Sequence, residues 1–341
     1  MIHKEEMKMM CEKKPLGFGI VGCGMIAGIH AQALASLSDA RLIGVTDVNF
    51  SNAKAFAQKY GVHAYENYGD MLSDEKIDAV CICTPSGYHA EQAIAALSAG
   101  KHTAVEKPIA MTAAEADRIM ETAEKSGKLL TVISQLRFSP DVIRLKDAVQ
   151  NGSLGNIHFC NLYMKYWRDE SYYSGSRWKG SRMLDGGVLM NQGIHGVDLL
   201  RHIMGNANVI GSVTDQLYHK IEAPDTALAL LRYDCGALGT LEATTAAFPG
   251  FDLKLELIGE KGYALFSEDR LTSLVTEGKQ QFVGAETKSA GTASDPRAVG
   301  WTKHALQLQN FADAINGVSP LAVCGEDGKA AVALISSIYK E

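Results

Sequence analysis

The chain has 341 residues, 46% of them hydrophobic and 21% charged, which is enough apolar material for two cores, so two domains are expected. Its formal net charge of -6 shows no basic excess, which excludes the usual electrostatic footprint for nucleic acid or anionic membrane and favours a small-molecule partner. The seven cysteines form no CxxC pair, so neither a disulfide framework nor a structural zinc site is indicated.

In chain order, residues 1–14 (MIHKEEMKMMCEKK) are charged where a signal peptide would be apolar and are expected to be a mobile arm of a soluble, cytoplasmic protein. Residues 15–135 alternate helix-like stretches with the short apolar runs LGFGIVG, ARLIGVTD, AVCICTP, KHTAVEK and LLTVIS. Runs that are apolar on both faces need cover on both sides, so an α/β domain with a parallel, doubly wound sheet is predicted. Thr112 and Glu115 in MTAAE have capping-box spacing, which starts a helix running to about Lys125 and leaves Glu106 to Pro108 in the preceding loop. Over 136–324 the texture changes to longer alternating runs, NIHFCNLYMKYW, ALALLRYD, GALGTLEATT and DLKLELIGEKG, which predict antiparallel strands and an α+β second domain. Two helical pieces follow, TKHALQLQNFADAINGV and EDGKAAVALISSIYKE; the last, 325–341, is expected to pack back on the first domain.

The segment GIVGCGMIAGIH sets Gly22, Gly24 and Ala27 as G-x-G-x-x-A between a strand and a helix. The first glycine permits the tight turn, and the second lets backbone N–H groups at Met25 and Ile26 approach a pyrophosphate at the positive helix end. The next apolar run ends in Asp47, placed to accept hydrogen bonds from a ribose diol. Asp47 would repel a 2'-phosphate and no arginine follows it closely, so NAD is preferred over NADP.

With this fingerprint, TPSGYH at 84–89, EKP at 106–108 and GGVLMNQGIHGVD at 186–198 together, the sequence resembles the Gfo/Idh/MocA oxidoreductases over nearly its whole length. QLRFSP at 135–140 and YYSGSRWKG at 172–180 are similar to family segments as well. The resemblance implies an N-terminal Rossmann domain, a C-terminal domain with a large, mostly antiparallel sheet, and an active site between them that acts on a ring carbon of a sugar or cyclitol. It also implies a homodimer or homotetramer formed through the open face of the second sheet. Carried over by position, Thr84 and Pro85 would border the nicotinamide, His89 would lie toward the diphosphate, and Glu106 would bond the nicotinamide ribose. Lys107 would point at the substrate hydroxyl, and the bond before Pro108 would be cis.

Oxidising a secondary alcohol requires a proton acceptor within about 3 Å of the hydroxyl, and Lys107 and His195 are the candidates. Asn191 lies one helical turn before His195, so both can face one cleft. The family commonly has aspartate where this chain has Asn191, and a neutral amide does not raise imidazole basicity as a carboxylate would. Lys107 and His195 are therefore expected to manage the proton together, with Asn191 orienting the substrate. His195, Asp198 and His202 have helical spacing that zinc could use, but further ligands are not evident and no metal is expected.

The stretch KYWRDESYYSGSRWKGSRMLDGG mixes basic and aromatic residues, among them Arg168, Tyr173 and Trp178. Aromatic faces suit sugar C–H surfaces and arginine forks suit carboxylate or phosphate, so an anionic sugar is favoured. This stretch resembles the branch of UDP-N-acetylglucosaminuronate-type 3-dehydrogenases, in which bound NAD would be recycled in place. A non-catalytic dinucleotide sensor is the alternative of another class, against which the intact Lys107 and His195 argue.

Overall fold

The computed structural model describes residues 15–340 except 268, 278 and 282–299, so the arm expected at 1–14 lies outside the described residues. Six strands make the first sheet: β1 Leu16–Val21, β2 Ala40–Thr46, β3 His63–Tyr65, β4 Ala79–Ile82, β5 His102–Val105 and β6 Leu130–Val132. All pairs are parallel, in the order β3-β2-β1-β4-β5-β6. The order reverses between β1 and β4, and ligands of such sheets bind at the carboxyl ends of the strands at that switch point. β1 and β4 are buried along their whole lengths, which is why they read as unbroken apolar runs. β3 was not announced by the sequence, because three residues with His63 exposed carry no usable periodicity.

The predicted capping box forms. Thr112 accepts from Glu115 N at 3.2 Å, the Glu115 carboxylate accepts from Thr112 N at 3.0 Å, and the helix runs Ala113–Ser126. This fixes where the loop carrying Glu106 and Lys107 must end.

Among the described residues, eight strands make the second sheet: β7 Ile157–Lys165, β8 Ala207–Asp215, β9 Thr226–Tyr233, β10 Leu238–Thr244, β11 Lys254–Gly259, β12 Tyr263–Ser267, β13 Arg270–Thr276 and β14 Lys279–Gln281. Their order is β14-β13-β12-β11-β7-β10-β9-β8. Only the β7–β10 pair is parallel, so the sheet is mostly antiparallel, as the alternating runs predicted. Along β9, Ala227, Ala229, Leu231 and Tyr233 are buried while Leu228 and Leu230 between them are exposed, the two-residue period of a sheet covered on one face.

Two late helices return toward the first sheet. Thr302–Ile315 packs on the fingerprint helix Met25–Ala35, with Phe311 edge-on to Phe18 of β1 at 6.4 Å between centroids. Gly325–Tyr339 touches the Ala113–Ser126 helix and β6 on one side, and β8 and the helix Ile194–Met204 on the other. Among the described residues, no helix is long and apolar enough to cross a membrane.

A buried ion-pair network fixes the helix Ile194–Met204, which carries His195. Arg137, on the short turn Gln135–Phe138, grips Asp198 bidentately at 2.6 and 2.9 Å and reaches Asp327 on the last helix at 2.8 Å. Burial pushes the Asp198 carboxyl up, and the guanidinium works against that push. Arg137→Leu should therefore strand a buried carboxylate and cost about 3–5 kcal/mol, read as a lower urea midpoint. A midpoint within experimental error of the native chain would refute the bracing role.

Candidate active site

The turn after β1 is shaped for close backbone approach. Gly22 has φ +88, and a Cβ there would sit 2.8 Å from Cys83 O, so the position excludes a side chain on two counts. At Gly24 a Cβ would meet nothing within 4 Å, leaving open space at the start of the Met25–Ala35 helix. That helix has no side-chain cap and no acidic residue in its first turn, so its first N–H groups remain available to an anion. Met25 is exposed, Ile26 half-buried and Ala27 fully buried.

At the end of β2, Asp47 accepts from Cys23 N at 2.8 Å and from Asn49 N at 2.9 Å. It thus braces the glycine turn while staying half-exposed, and a carboxylate has acceptor positions to spare for a diol. Open space at Gly24, a bare helix end and a carboxylate at the next strand end fit a dinucleotide. Gly22, Gly24, Met25, Ile26 and Asp47 are the residues that could hold it.

The loops after β4 and β5 lock together through His89, which is 1% exposed. Its ring nitrogens lie 2.9 Å from Thr84 O and 2.6 Å from Pro108 O, so it acts as a strut between the two loops. Thr84 donates to Gln92 at 2.6 Å, and Thr84 and Pro85 are both half-buried. The Lys107–Pro108 bond is cis.

Glu106 points inward. Only 4% exposed, its carboxylate accepts from His30 Nε2 at 2.8 Å and from Lys107 N at 3.2 Å. Lys107 points the other way and donates from Nζ to the backbone oxygen of Asn191 at 3.0 Å. Burial pushes the Lys107 amine below the ordinary lysine range, while Glu106 and Asp185 hold it up.

The second domain meets this loop with a glycine pair and a wide turn. Gly186 and Gly187 have φ +72 and +77, and a Cβ on Gly187 would lie 2.5 Å from Pro224 O, so the chain can enter the π-type turn Val188–Gly193 only with glycines there. Asn191, in that turn, donates from its amide to Asp185 and lies 3.5 Å from the Tyr172 hydroxyl. Gln192 donates to the same hydroxyl at 3.1 Å. His195 follows, half-buried, its pKa pushed down to about 3 by burial and by the Lys107 charge.

Asp185, which sequence reading missed, is 1% exposed, accepts from Gly180 N at 2.9 Å, and has its pKa pushed up to about 6 by burial. The sequence lacks a carboxylate at position 191, but the fold supplies one six residues earlier. Its signal was the D of DGG, which reads locally as a turn residue.

The basic and aromatic stretch divides. Arg168, expected to face the substrate, is corrected to a buried residue: it is 4% exposed, donates to Trp167 O at 2.8 Å, and has its guanidinium 5.2 Å from the Tyr166 ring centroid and 5.4 Å from that of Tyr172. Tyr173 must be corrected from a substrate-facing residue to a core residue, because it is buried and its hydroxyl bonds Thr245 at 2.9 Å. Its neighbour Tyr172 takes the place at Asn191, with Lys179 Nζ 3.6 Å above its ring. Trp178 is half-buried in the same loop. The His195, Asp198 and His202 spacing does not gather ligands, since Asp198 is held by Arg137 and His202 faces Lys146 at 3.3 Å.

Comparison with known proteins adds independent findings. Residues 16–134 match the family model for the oxidoreductase family, NAD-binding Rossmann fold, and residues 146–341 match the oxidoreductase family, C-terminal alpha/beta domain. The chain is 31% identical over 327 residues to the myo-inositol 2-dehydrogenase of Thermotoga maritima, covering 93% of each chain. It is 31% identical over 241 residues to the D-glucoside 3-dehydrogenase of Escherichia coli, covering 70% of this chain and 66% of that one. The WlbA dehydrogenase of Bordetella pertussis, solved in complex with NADH and UDP-GlcNAcA, superposes with a TM-score of 0.86 at 29% identity, covering 97% of this chain and 96% of that one.

Asp185 makes the site's stability depend on pH. Its carboxyl titrates near 6 in the fold against an ordinary 3.8, so between those values the folded chain holds the proton and the unfolded chain does not. Stability from this group is therefore lost as pH rises from 4 to 6. Asp185→Asn removes the slope and should gain up to about 3 kcal/mol on the native chain across that window, measured by urea denaturation at fixed pH. Parallel pH curves for the two proteins would contradict the assignment.

Proposed function

Because the chain belongs to the Gfo/Idh/MocA family of NAD-binding oxidoreductases, we propose that it is a dehydrogenase acting on a ring CH–OH of a sugar, sugar derivative or cyclitol. One observation carries the reading: Lys107, leaving the first sheet, reaches Asn191 O of the second domain at 3.0 Å, one helical turn before His195. Two candidate proton-handling groups from different domains thus face a single cleft.

NAD, when bound, supplies the hydride acceptor at its nicotinamide C4. Gly22, Gly24, Met25, Ile26 and Asp47 hold it by backbone N–H groups and a carboxylate, and Thr84, Pro85, His89 and Glu106 shape the neighbouring loops. Lys107 takes the proton from the substrate hydroxyl in oxidation and returns it in reduction. Its lowered pKa gives it a larger neutral fraction than an exposed lysine has. His195, with its pKa pushed down to about 3, is neutral at ordinary pH and donates its ring N–H to the hydroxyl oxygen, leaving the hydroxyl proton to Lys107. Asn191, held by Asp185, fixes the turn that presents both groups.

An anionic sugar is supported by Lys107 and Lys179 beside the Asn191 turn. A UDP-linked uronate is the second reading, favoured by that cationic wall and by the ligand named in the WlbA complex. The non-catalytic sensor gives way to the dehydrogenase reading. Panels of cyclitols, glycosides and UDP-uronates, screened through NADH absorbance, should find a substrate whose turnover falls at least about 100-fold in Lys107→Met and in His195→Ala, with NAD affinity kept. Near-native turnover in either variant removes that residue from the mechanism, and activity on free cyclitols but not on UDP-uronates removes the second reading.

For partners, the exposed face of the second sheet presents Phe159, Val213, Leu228, Leu230 and Ile258, an apolar surface of the kind that marks an association site. A second copy of the chain covers it, as a homodimer or homotetramer. Leu228→Glu with Leu230→Glu should shift sedimentation to the monomer; a native chain that already sediments as a monomer would refute this assembly.

A further inference from the structure

Three residues from distant parts of the chain meet at one buried point. Glu106 is 4% exposed, His30 of the fingerprint helix 0% and His304 of the Thr302–Ile315 helix 1%. Glu106 Oε1 lies 2.8 Å from His30 Nε2 and 3.7 Å from His304 Nε2. The two imidazoles pack edge to face, 5.5 Å between centroids. Nothing in the chemistry above uses either histidine.

Burial by itself drives a carboxylate toward its neutral form, yet hydrogen bonding from the two imidazoles holds Glu106 well below the ordinary range. Burial likewise drives His30 down, so it meets Glu106 as a neutral ring with its hydrogen on Nε2. The Nδ1 atoms of His30 and His304 are buried without hydrogen-bond partners. As bare lone pairs they are tolerable; as N–H groups they would be unsatisfied donors. This weighs against a metal, although the three ligand atoms lie within 4.8 Å of one another. A metal would occupy both Nε2 lone pairs and force the hydrogens onto the unpartnered Nδ1 atoms, whereas metal-bound histidines give that second hydrogen to an acceptor.

We propose that His30 and His304 are positioning residues that grip the Glu106 carboxylate from two helices and fix it as the standing negative charge beside Lys107. The proposal rests on the reading of Lys107 as the proton-handling group and deepens it. Lys107 also faces Asp185, His89 and His195, and Glu106 also faces the Cys81 and Cys83 thiols, which burial keeps protonated. Fixing Glu106 keeps the Lys107 proton affinity from collapsing under burial, because an adjacent anion favours the ammonium. Removing the imidazole donors lets Glu106 take up a proton, and the neutral acid then no longer supports the charge on Lys107.

The test reads Lys107 without turnover, by the pH dependence of its trace acetylation in the full chain with saturating NAD, followed by mass spectrometry. His30→Leu and His304→Leu should each lower the Lys107 pKa by about one unit or more, a tenfold loss of proton affinity, and Glu106→Gln should do the same. His30→Gln keeps an N–H donor near the Nε2 position and should retain the native value. If His30→Leu does not fold, His304→Leu alone decides. An unchanged Lys107 pKa in a folded leucine variant while Glu106→Gln shifts it overturns the proposal. So does an equal drop in His30→Gln, or one zinc per chain bound by the native protein and lost in His304→Leu. Full turnover in Lys107→Met would sink the catalytic reading but not the labelling result, so the two failures are distinguishable.

Discussion

A carboxylate and an ammonium placed side by side where two sheets meet cannot be buried without partners, and most of the site answers that constraint. Glu106 turns into the first domain and takes its hydrogen bond from His30. Lys107 turns toward the second domain and spends a proton on the backbone oxygen of Asn191. Desolvating either group alone costs several kcal/mol; divided between two domains, each finds its own polar surroundings. The same division places an amine of lowered proton affinity over the crevice at which a parallel sheet with this strand order binds its ligand.

The second domain is held to that loop by contacts of equally specific kind. Gly87 N bonds Leu184 O at 3.3 Å, joining the loop after β4 to the residues just before Asp185. Leu189 N bonds the Tyr339 hydroxyl at 2.9 Å, so the last helix fixes the start of the turn that carries Asn191. Arg137 ties the helix of His195 to the same last helix. Reacting groups supplied by two domains tolerate little misplacement, and these three ties set the distance between the domains.

Much of this was legible in residues close together in the chain. The glycine spacing of the fingerprint, the Asp47 strand end, the capping box at Thr112 and the alternation of β7, β9, β10 and β11 are short-range signals, and each formed where the pattern placed it. β3 and β8 were not legible. The first is too short for a period, and the second has no fully buried position in its length, so its alternation of half-buried and exposed residues lacks the apolar contrast that marks a strand. Tyr173 and Tyr172 are adjacent and chemically the same, and only the path of the backbone decides that one reaches Thr245 and the other Asn191.

The sequence by itself determined the two sheet types and the dinucleotide turn, because these rest on backbone conformations and periods that a few neighbouring residues impose; the candidates Lys107 and His195 came from the family resemblance of the motifs that carry them. It could not determine what surrounds them. No local pattern singles out His30 or His304, and Asp185 reads as a turn residue. Only the tertiary structure brought His30 and His304 to Glu106, and placed Asp185 where position 191 lacks a carboxylate. Burial and partner identity are properties of segments remote in sequence, and it is burial and partners that set the charge state of each group in the site.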